Sequence, residues 1–263
     1  MEDEHSLIGG NVTRDVVRVV QTVRKPRTPF DIAATALLNQ LEAAGVSGVP
    51  RARGYDTKGR RILSWLPGAT AFPKEMWTKT VTLTSAAERL RQIHDASRPL
   101  LTDSHTWAIT TPGPEEEMVI GHSDFAPYNM VFADDGAVIG VFDFDLAGPA
   151  PRVKDLAYLA WWLVPFGEQV ADMRAATGRD VKHGSIRLHM LCAAYGVNPD
   201  MALLDAIAQV LRHMGDPTEA GKMIGGAAAR RLADSGHFDH WQRAAHDFAL
   251  LRPRIAANLS RSL

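Results

Sequence analysis

Five polar residues flank one predicted β-hairpin near the middle of the chain. In chain order they are His122, Asp124, Asn129, Asp143 and Asp145. Two short apolar runs, 130–132 and 137–142, enclose the sequence Asp134-Asp135-Gly136, which is typical of a tight turn between two strands. The hairpin is therefore expected to bring the polar residues before and after it close together. Carboxylate and amide oxygens placed in this way can orient a hydroxyl and hold Mg²⁺ against phosphates, as phosphoryl transfer requires.

The spacing of these residues is typical of kinases. Asn129 follows Asp124 by five positions, which is the spacing of the aspartate and the asparagine in the catalytic loop of kinases. Asp143 comes fourteen positions after Asn129, where the metal-binding aspartate of a kinase is expected. The alternative is a surface hairpin with solvated acids, which is common for any single aspartate. Five polar residues in register around one hairpin favour the catalytic interpretation.

Two segments resemble the signature of a known superfamily. Residues 122–129 read His-Ser-Asp-Phe-Ala-Pro-Tyr-Asn, and residues 142–157 read Phe-Asp-Phe-Asp-Leu-Ala-Gly-Pro-Ala-Pro-Arg-Val-Lys-Asp-Leu-Ala. Together they are similar to the paired motifs of the aminoglycoside phosphotransferase and choline kinase superfamily. The resemblance is specific for the superfamily and not for a substrate.

The resemblance implies an α+β, protein-kinase-like fold with two lobes. A small N-terminal antiparallel β-sheet lobe with one helix, residues 1–67, would bind the nucleotide. A larger, mostly helical C-terminal lobe, residues 68–263, would carry the catalytic loop and the acceptor site. The hinge between the lobes is expected at about 62–68, where Ser64 and Leu66 would offer backbone groups to the nucleotide base.

The resemblance also implies a role for each polar residue around the hairpin. Asp124 would accept the proton of the acceptor hydroxyl or orient its oxygen. Asn129 and Asp143 would bind Mg²⁺ beside the phosphates. Structural support is expected from His122, Asp155 and Asp145.

The N-terminal segment contains the predicted phosphate-binding strands. Strand-like residues cover most of 16–25, and Asn11 and Thr13 before them are candidates to contact the triphosphate. A kinase-like lobe places a basic residue at the end of the following strand, where both Arg24 and Lys25 are available. The register favours Arg24, whose guanidinium can hold phosphate bidentately.

A helix is predicted directly after these strands. Thr28 as N-cap, Pro29 at the first helical position and Asp31 at the capping-box position form a strong helix start. Gly45 is expected to end the helix. Kinase-like folds place a glutamate near the middle of this helix, but residues 33–36 read Ala-Ala-Thr-Ala. The customary ion pair between this glutamate and the strand lysine is therefore expected to be missing.

Helical periodicity dominates the rest of the chain. The predicted helices cover 84–97, 155–164, 184–194, 201–213, 221–234 and 238–259. His94, at the end of a buried stripe, is expected to be a packed histidine. A loop is predicted over 98–118, and the sequence Gly-Pro-Ala-Pro-Arg at 148–152 is expected to break the chain.

Composition bounds the class of protein. With 263 residues, 46% of them hydrophobic and 22% charged, the chain is large enough for one two-lobed globular unit or two small domains. A formal net charge of −1 argues against nucleic acid or a membrane surface as a general partner. The lone cysteine, Cys192, is expected to be a buried small hydrophobe. Because no signal peptide is evident, we expect a cytoplasmic monomer or homodimer.

These observations predict a small-molecule kinase. With Mg²⁺, it would transfer the γ-phosphoryl group of ATP or GTP to a substrate hydroxyl. By family analogy the acceptor is an aminoglycoside or a related antibiotic, and choline, ethanolamine, an amino sugar or another metabolite is the alternative. A different class, a catalytically weak nucleotide-binding regulator, is suggested by the altered phosphate-binding residues.

Overall fold

The computed structural model describes residues 4–7, 15–71, 77–166 and 181–259. The N-terminal part is an antiparallel sheet with one helix, and the C-terminal part is mostly helical. This architecture confirms the predicted fold class. The strands of the N-terminal sheet are β1 (His5–Ser6), β2 (Val17–Val19), β3 (Thr22–Lys25), β4 (Ala52–Tyr55) and β5 (Arg61–Ser64), in the order β1-β2-β3-β5-β4.

The register of the sheet places two basic residues side by side. In the antiparallel pair β3–β5, Lys25 lies directly opposite Arg61. Directly opposite residues point to the same face of a sheet, and like charges in such a pair repel. Both residues are almost fully buried, with 6% and 2% of their surface exposed. Acidic partners are therefore required at this face.

Helix α1 (Asp31–Ala43) follows β3 and covers the sheet. Thr28 is not the N-cap as predicted, but its contact with Asp31 forms, because the amide N and Oγ1 of Thr28 donate to Asp31 Oδ1 at 3.1 and 3.0 Å. The helix itself begins at Asp31, two residues later than predicted, with Phe30 as its N-cap. It ends as predicted before Gly45, which has a φ of +74°.

The central hairpin is confirmed, and a second strand pair was not predicted. Strands β7 (Met130–Phe132) and β8 (Val138–Val141) form the hairpin. Strands β6 (Met118–Gly121) and β9 (Gly148–Pro151) pair antiparallel. The prediction of a chain break at 148–152 is therefore wrong. Prolines are tolerated here because this small sheet has only two strands and each strand is an edge.

The helices of the C-terminal part carry most of the core. They are α2 (Thr80–Ser97), α3 (Arg152–Leu163), α4 (Val181–Tyr195), α5 (Met201–Met214), α6 (Pro217–Ile224), α7 (Gly226–Asp234) and α8 (His237–Leu259). The single helix predicted over 221–234 is wrong, because Gly225, with a φ of +81°, separates α6 from α7. Cys192 is buried as predicted, and burial raises the pKa of its thiol to about 12. Among the described helices, none combines the length and apolarity needed to cross a membrane.

Candidate active site

Asp155, near the start of α3, fixes the loop before the hairpin. The carboxylate of Asp155 accepts hydrogen bonds from the backbone N–H groups of His122 and Ser123, at 2.6 and 3.0 Å. Ser123 has a φ of +64°, a left-handed conformation that non-glycine residues rarely adopt. These contacts are the ones that the predicted bracing role of Asp155 requires.

A second layer of hydrogen bonds holds Asp155 itself. His94 Nε2 lies 3.2 Å from Asp155 Oδ2, and His94 Nδ1 lies 2.7 Å from the hydroxyl of Tyr195. Burial alone would raise the pKa of the Asp155 carboxyl, but the hydrogen bond and the charge of His94, with the nearby His122, lower it below its ordinary value. His94 is fully buried, as predicted.

Asp124 projects from this loop in a different environment. Its carboxylate accepts hydrogen bonds from the hydroxyl of Tyr128 and from Asn129 Nδ2, the latter at 2.9 Å. Burial raises the pKa of Asp124, and the negative charge of Asp143 raises it further, while the hydrogen bonds from Tyr128 and Asn129 act in the opposite direction. The net pKa lies above the ordinary value of an aspartate. A carboxylate of raised pKa is a better proton acceptor than an ordinary one.

The hairpin brings Asn129 next to the second acidic cluster. The backbone N–H of Phe142 donates to the carbonyl of Asn129 at 2.9 Å, directly before Asp143. His122 Nε2 lies 3.0 Å from the carbonyl of Phe142, which is the contact that its predicted bracing role requires. Asp143 has a φ of +68°, so its backbone is also left-handed. The two clusters converge as the sequence predicted.

Lys25 crosses from the N-terminal sheet to this acidic cluster. Its ammonium lies 2.7 Å from Asp143 Oδ1 and 2.6 Å from Asp145 Oδ2. Burial lowers the pKa of Lys25, but the attraction of the two aspartates outweighs burial and raises it. Lys25 therefore stays charged at neutral pH.

Arg24 does not reach this cluster, although the sequence favoured it over Lys25. Successive residues of a strand point to opposite faces, and Arg24 points toward Asp56, with 3.7 Å between Nε and Oδ2. The geometry corrects the preference for Arg24. The predicted strand end is correct, but Lys25, and not Arg24, lies on the face of the strand that meets the acidic cluster.

Arg61 and Asp31 join the cluster from β5 and α1, and sequence reasoning missed both roles. Arg61 Nη2 donates to Asp145 Oδ1, and Arg61 Nη1 lies 3.5 Å from Asp31 Oδ1. The nearby charges of Lys25 and Arg61 lower the pKa of Asp145 against the effect of its burial. The glutamate that the sequence lacks in α1 is thus replaced by an aspartate at the start of that helix, linked through arginine. No local sequence pattern signals these two roles, because they depend on the register that places Arg61 opposite Lys25.

The donor set suits Mg²⁺. Asp143 offers a carboxylate that is 39% exposed, and both side-chain hydrogen bonds of Asn129 use its amide nitrogen, which leaves the amide oxygen as a ligand. Within the described residues no three His, Cys, Asp or Glu side chains converge as a ready-made metal site. Mg²⁺ commonly binds through one or two protein groups together with substrate phosphates, so this donor set fits a nucleotide-bound cation.

The predicted base-binding segment follows β5. The N–H of Ser64 already donates to the carbonyl of Arg51 at 2.9 Å, so this N–H is not free for a base. In the described part of the chain, no hydrogen bond engages the backbone of Leu66. Asn11 and Thr13 lie outside the described residues.

An aromatic cluster borders Asp124. The hydroxyl of Tyr128 lies 2.9 Å from that of Tyr158, and the Tyr128 ring meets the edge of Trp162 at 5.5 Å between centroids. Tyr128 is 47% exposed. Aromatic rings with a polar end suit a ligand that presents both an apolar face and hydroxyl groups.

The motif segment has a counterpart among known protein families. The model of the phosphotransferase enzyme family matches residues 102–189. The predicted family resemblance is confirmed. This match covers the catalytic loop, the hairpin and Asp155, which are the elements that position the candidate active site.

Solved structures with the phosphotransferase fold extend the likeness to nearly the whole chain. The gentamicin complex of APH(2")-IIa is 13% identical, with a TM-score of 0.60 over 92% of this chain and 90% of that one. The GDP complex of aminoglycoside 2'-phosphotransferase-IIIa is 11% identical, with a TM-score of 0.57 over 95% and 93%. Macrolide 2'-phosphotransferase MphH from Brachybacterium faecium is 16% identical, with a TM-score of 0.56 over 93% and 91%.

These likenesses establish the fold. Curated proteins compared with the sequence give no match. Because the solved phosphotransferases include proteins named for aminoglycosides and for a macrolide, the fold by itself does not select an acceptor.

Proposed function

We propose that this protein is a small-molecule kinase that transfers the γ-phosphoryl group of ATP or GTP to a hydroxyl of its acceptor. The observation that carries the proposal is the position of Asp143. It meets the ammonium of Lys25 on one side, and its charge raises the pKa of Asp124 on the other. A cation for phosphate, oxygen ligands for Mg²⁺ and a proton acceptor therefore lie in one place.

Asp124 is the proposed acceptor of the hydroxyl proton. As the hydroxyl oxygen forms its bond to the γ-phosphorus, the bond from that phosphorus to the bridging oxygen breaks, and the nucleoside diphosphate leaves. The proton passes to the Asp124 carboxylate, whose raised pKa favours the transfer. Tyr128 and Asn129 hold the carboxylate in place through their hydrogen bonds.

Asn129 and Asp143 are the proposed ligands of Mg²⁺. When bound, the ion neutralises charge on the phosphates. Lys25 is the proposed phosphate-binding cation, since it lies beside Asp143 and remains charged. Most of the rate enhancement then comes from positioning and electrostatics, and no covalent enzyme intermediate is needed.

The nucleotide is proposed to lie between an N-terminal lobe, residues 1–67, and a C-terminal lobe, residues 68–263. The backbone of Leu66 supports a base contact, because no other group of the described chain uses it. Asn11 and Thr13 are proposed to contact the triphosphate, as the sequence suggested.

The proposed acceptor is an aminoglycoside or a related sugar-containing antibiotic, which would make this a resistance enzyme. The aromatic cluster of Tyr128, Tyr158 and Trp162 beside Asp124 supports an acceptor with a ring face and hydroxyl groups.

A phosphorylation screen tests the proposal. The protein is incubated with Mg²⁺ and either ATP or GTP, with aminoglycosides, macrolides and amino alcohols as acceptors, and mass spectrometry detects a gain of one phosphoryl group. We expect phosphorylation of at least one sugar-containing antibiotic. Asp124→Asn should abolish it, while Asp134→Asn, in the exposed turn of the same hairpin, should leave it unchanged.

Three results would contradict the proposal in different ways. Nucleotide binding without phosphorylation of any acceptor would favour a nucleotide-binding regulator. Failure to bind either nucleotide in the presence of Mg²⁺ would reject both functions. Phosphorylation of an amino alcohol alone would retain the kinase and replace the antibiotic.

A further inference from the structure

Lys25 belongs to a buried network of charged side chains. Binding a phosphate would not by itself require the other members of this network. Two buried cations, Lys25 and Arg61, face each other across β3 and β5. Three carboxylates surround them, those of Asp31, Asp143 and Asp145. Buried charges are stable only when they are paired, so every member of this network depends on its neighbours.

Asp145 is the link between the two cations. One of its oxygens, Oδ2, lies 2.6 Å from the Lys25 ammonium, and the other, Oδ1, accepts from Arg61 Nη2. Because Arg61 occupies one oxygen, the carboxylate cannot rotate without breaking that contact. Lys25 is thereby held at a defined distance from Asp143.

Asp31 fixes the other end of Arg61. The Asp31 side chain is 1% exposed and is anchored by Thr28 at the start of α1. Arginine suits this bridge because its planar guanidinium presents several donors in a fixed arrangement, whereas a lysine ammonium is a single point on a flexible stem. The ion pairs Asp31–Arg61 and Arg61–Asp145 therefore connect helix α1 to Lys25, the proposed phosphate-binding residue.

The proposed function suggests a role for these connected ion pairs. If Asp143 is to bind a nucleotide-bound cation, Lys25 loses part of its pairing with Asp143. Asp145 then becomes the remaining carboxylate partner of Lys25 among the described residues. Asp145 can hold Lys25 in place only while Arg61 holds Asp145.

We propose that Arg61, fixed between Asp31 and Asp145, is a positioning residue that keeps the Lys25 ammonium at the nucleotide phosphates. Arg61 acts through Asp145 and does not touch the phosphates. This inference rests on the proposed function, because it assumes that a nucleotide binds at Lys25.

The test compares two neighbouring arginines. Arg61→Met removes the charge and keeps much of the side-chain length. Arg60→Met is the matched control, because Arg60 lies next in the chain and pairs with Glu4 and Asp56 at the surface. The dissociation constants of ADP and of a non-hydrolysable ATP analogue are measured with Mg²⁺ and with excess chelator, and thermal melting confirms the fold of each variant.

We expect Arg61→Met to weaken nucleotide binding about tenfold, by a similar factor with and without Mg²⁺, because the lost contact is that of Lys25 with phosphate. Arg61→Lys should lose less. Arg60→Met should bind within about twofold of the wild-type protein. In turnover assays the KM for nucleotide should rise in Arg61→Met, while the KM for acceptor stays unchanged.

Asp31→Asn provides a second variant that removes the charge and keeps a side-chain oxygen able to accept the hydrogen bonds from Thr28. It should weaken nucleotide binding less than Arg61→Met does, and adding it to Arg61→Met should cause little further loss. Equal affinities of Arg61→Met and Arg60→Met would overturn the inference, as would a loss that appears only with Mg²⁺. If the wild-type protein binds no nucleotide, the proposed function fails and the inference fails with it.

Discussion

Asp124 lies in the loop before the hairpin, Asp155 contacts that loop from α3, and the environments of their carboxylates differ. Asp155 accepts two backbone N–H groups and contacts a buried histidine, and its pKa is lowered. Asp124 accepts hydrogen bonds from two side chains, those of Tyr128 and Asn129, and its pKa is raised. The same residue type therefore has opposite pKa shifts at two positions that contact one loop.

The difference shows how the environment of an aspartate determines which role its carboxylate suits. The hydrogen bond and the charge of His94 favour the charged form of Asp155, which suits a brace. Burial beside a like charge disfavours the charged form, which suits a group that must take up a proton and release it. Asp155 is buried, and Asp124, the proposed proton acceptor, is partly exposed.

The largest expected effect follows from changing the reactive aspartate. Asp124→Asn should lower acceptor-dependent turnover by about 10³-fold, because an amide cannot accept the hydroxyl proton. Nucleotide affinity and the free energy of unfolding should change little. Steady-state kinetics measure the turnover, nucleotide titration measures the affinity, and urea denaturation measures the free energy of unfolding. Turnover close to that of the wild-type protein would show that Asp124 is not the proton acceptor.

Asp155→Asn should instead reduce stability. Removing one charge from a buried, fully hydrogen-bonded cluster should cost about 3 kcal/mol in the free energy of unfolding, measured by urea denaturation. Asp95→Asn is the control, since Asp95 forms surface ion pairs with Arg91 and Arg152 and should cost less than about 1 kcal/mol. If both variants lost the same amount, Asp155 would not be a brace.

Acid should remove the contribution of Asp155. Its folded-state pKa lies below the ordinary value of 3.8, so its stabilisation is fully present above that value and is lost as the pH falls through the lower, folded-state pKa. The difference in unfolding free energy between the wild-type protein and Asp155→Asn should therefore be smaller at about pH 3 than at about pH 7. A difference that grows on acidification would contradict the sign of the pKa shift.

The smallest effect on turnover is expected from a substitution at Tyr128, which borders Asp124. Tyr128→Phe removes one hydrogen bond from the Asp124 carboxylate and leaves the half-exposed ring in place. Stability should change by less than about 1 kcal/mol. Acceptor-dependent turnover should fall about fivefold, because the carboxylate loses a contact that orients it. Kinetics that equal those of the wild-type protein would show that Asn129 alone is sufficient to orient Asp124.

Much of this arrangement could be predicted from the sequence because the information is local. The hairpin of β7 and β8 has a strong turn signal, and the spacing of Asp124, Asn129 and Asp143 is a specific motif. Helix periodicity located most of the helices of the C-terminal part. Family motifs also anticipated a brace at Asp155.

The remaining features depend on contacts between residues far apart in the chain. The choice of Lys25 over Arg24 depends on which face of β3 meets the hairpin. The role of Arg61 depends on the register that places it opposite Lys25, which no local pattern specifies. The β6–β9 pair escaped prediction because its prolines are compatible only with an edge strand.

The left-handed backbone at Asp143 limits how the site can be dissected. Asparagine and aspartate tolerate this conformation, whereas alanine is disfavoured there by about 1 kcal/mol or more. An alanine substitution would thus confound the missing carboxylate with relaxation of a strained turn. Asparagine retains the shape of the turn, so Asp143→Asn is the variant whose phenotype reports on charge alone.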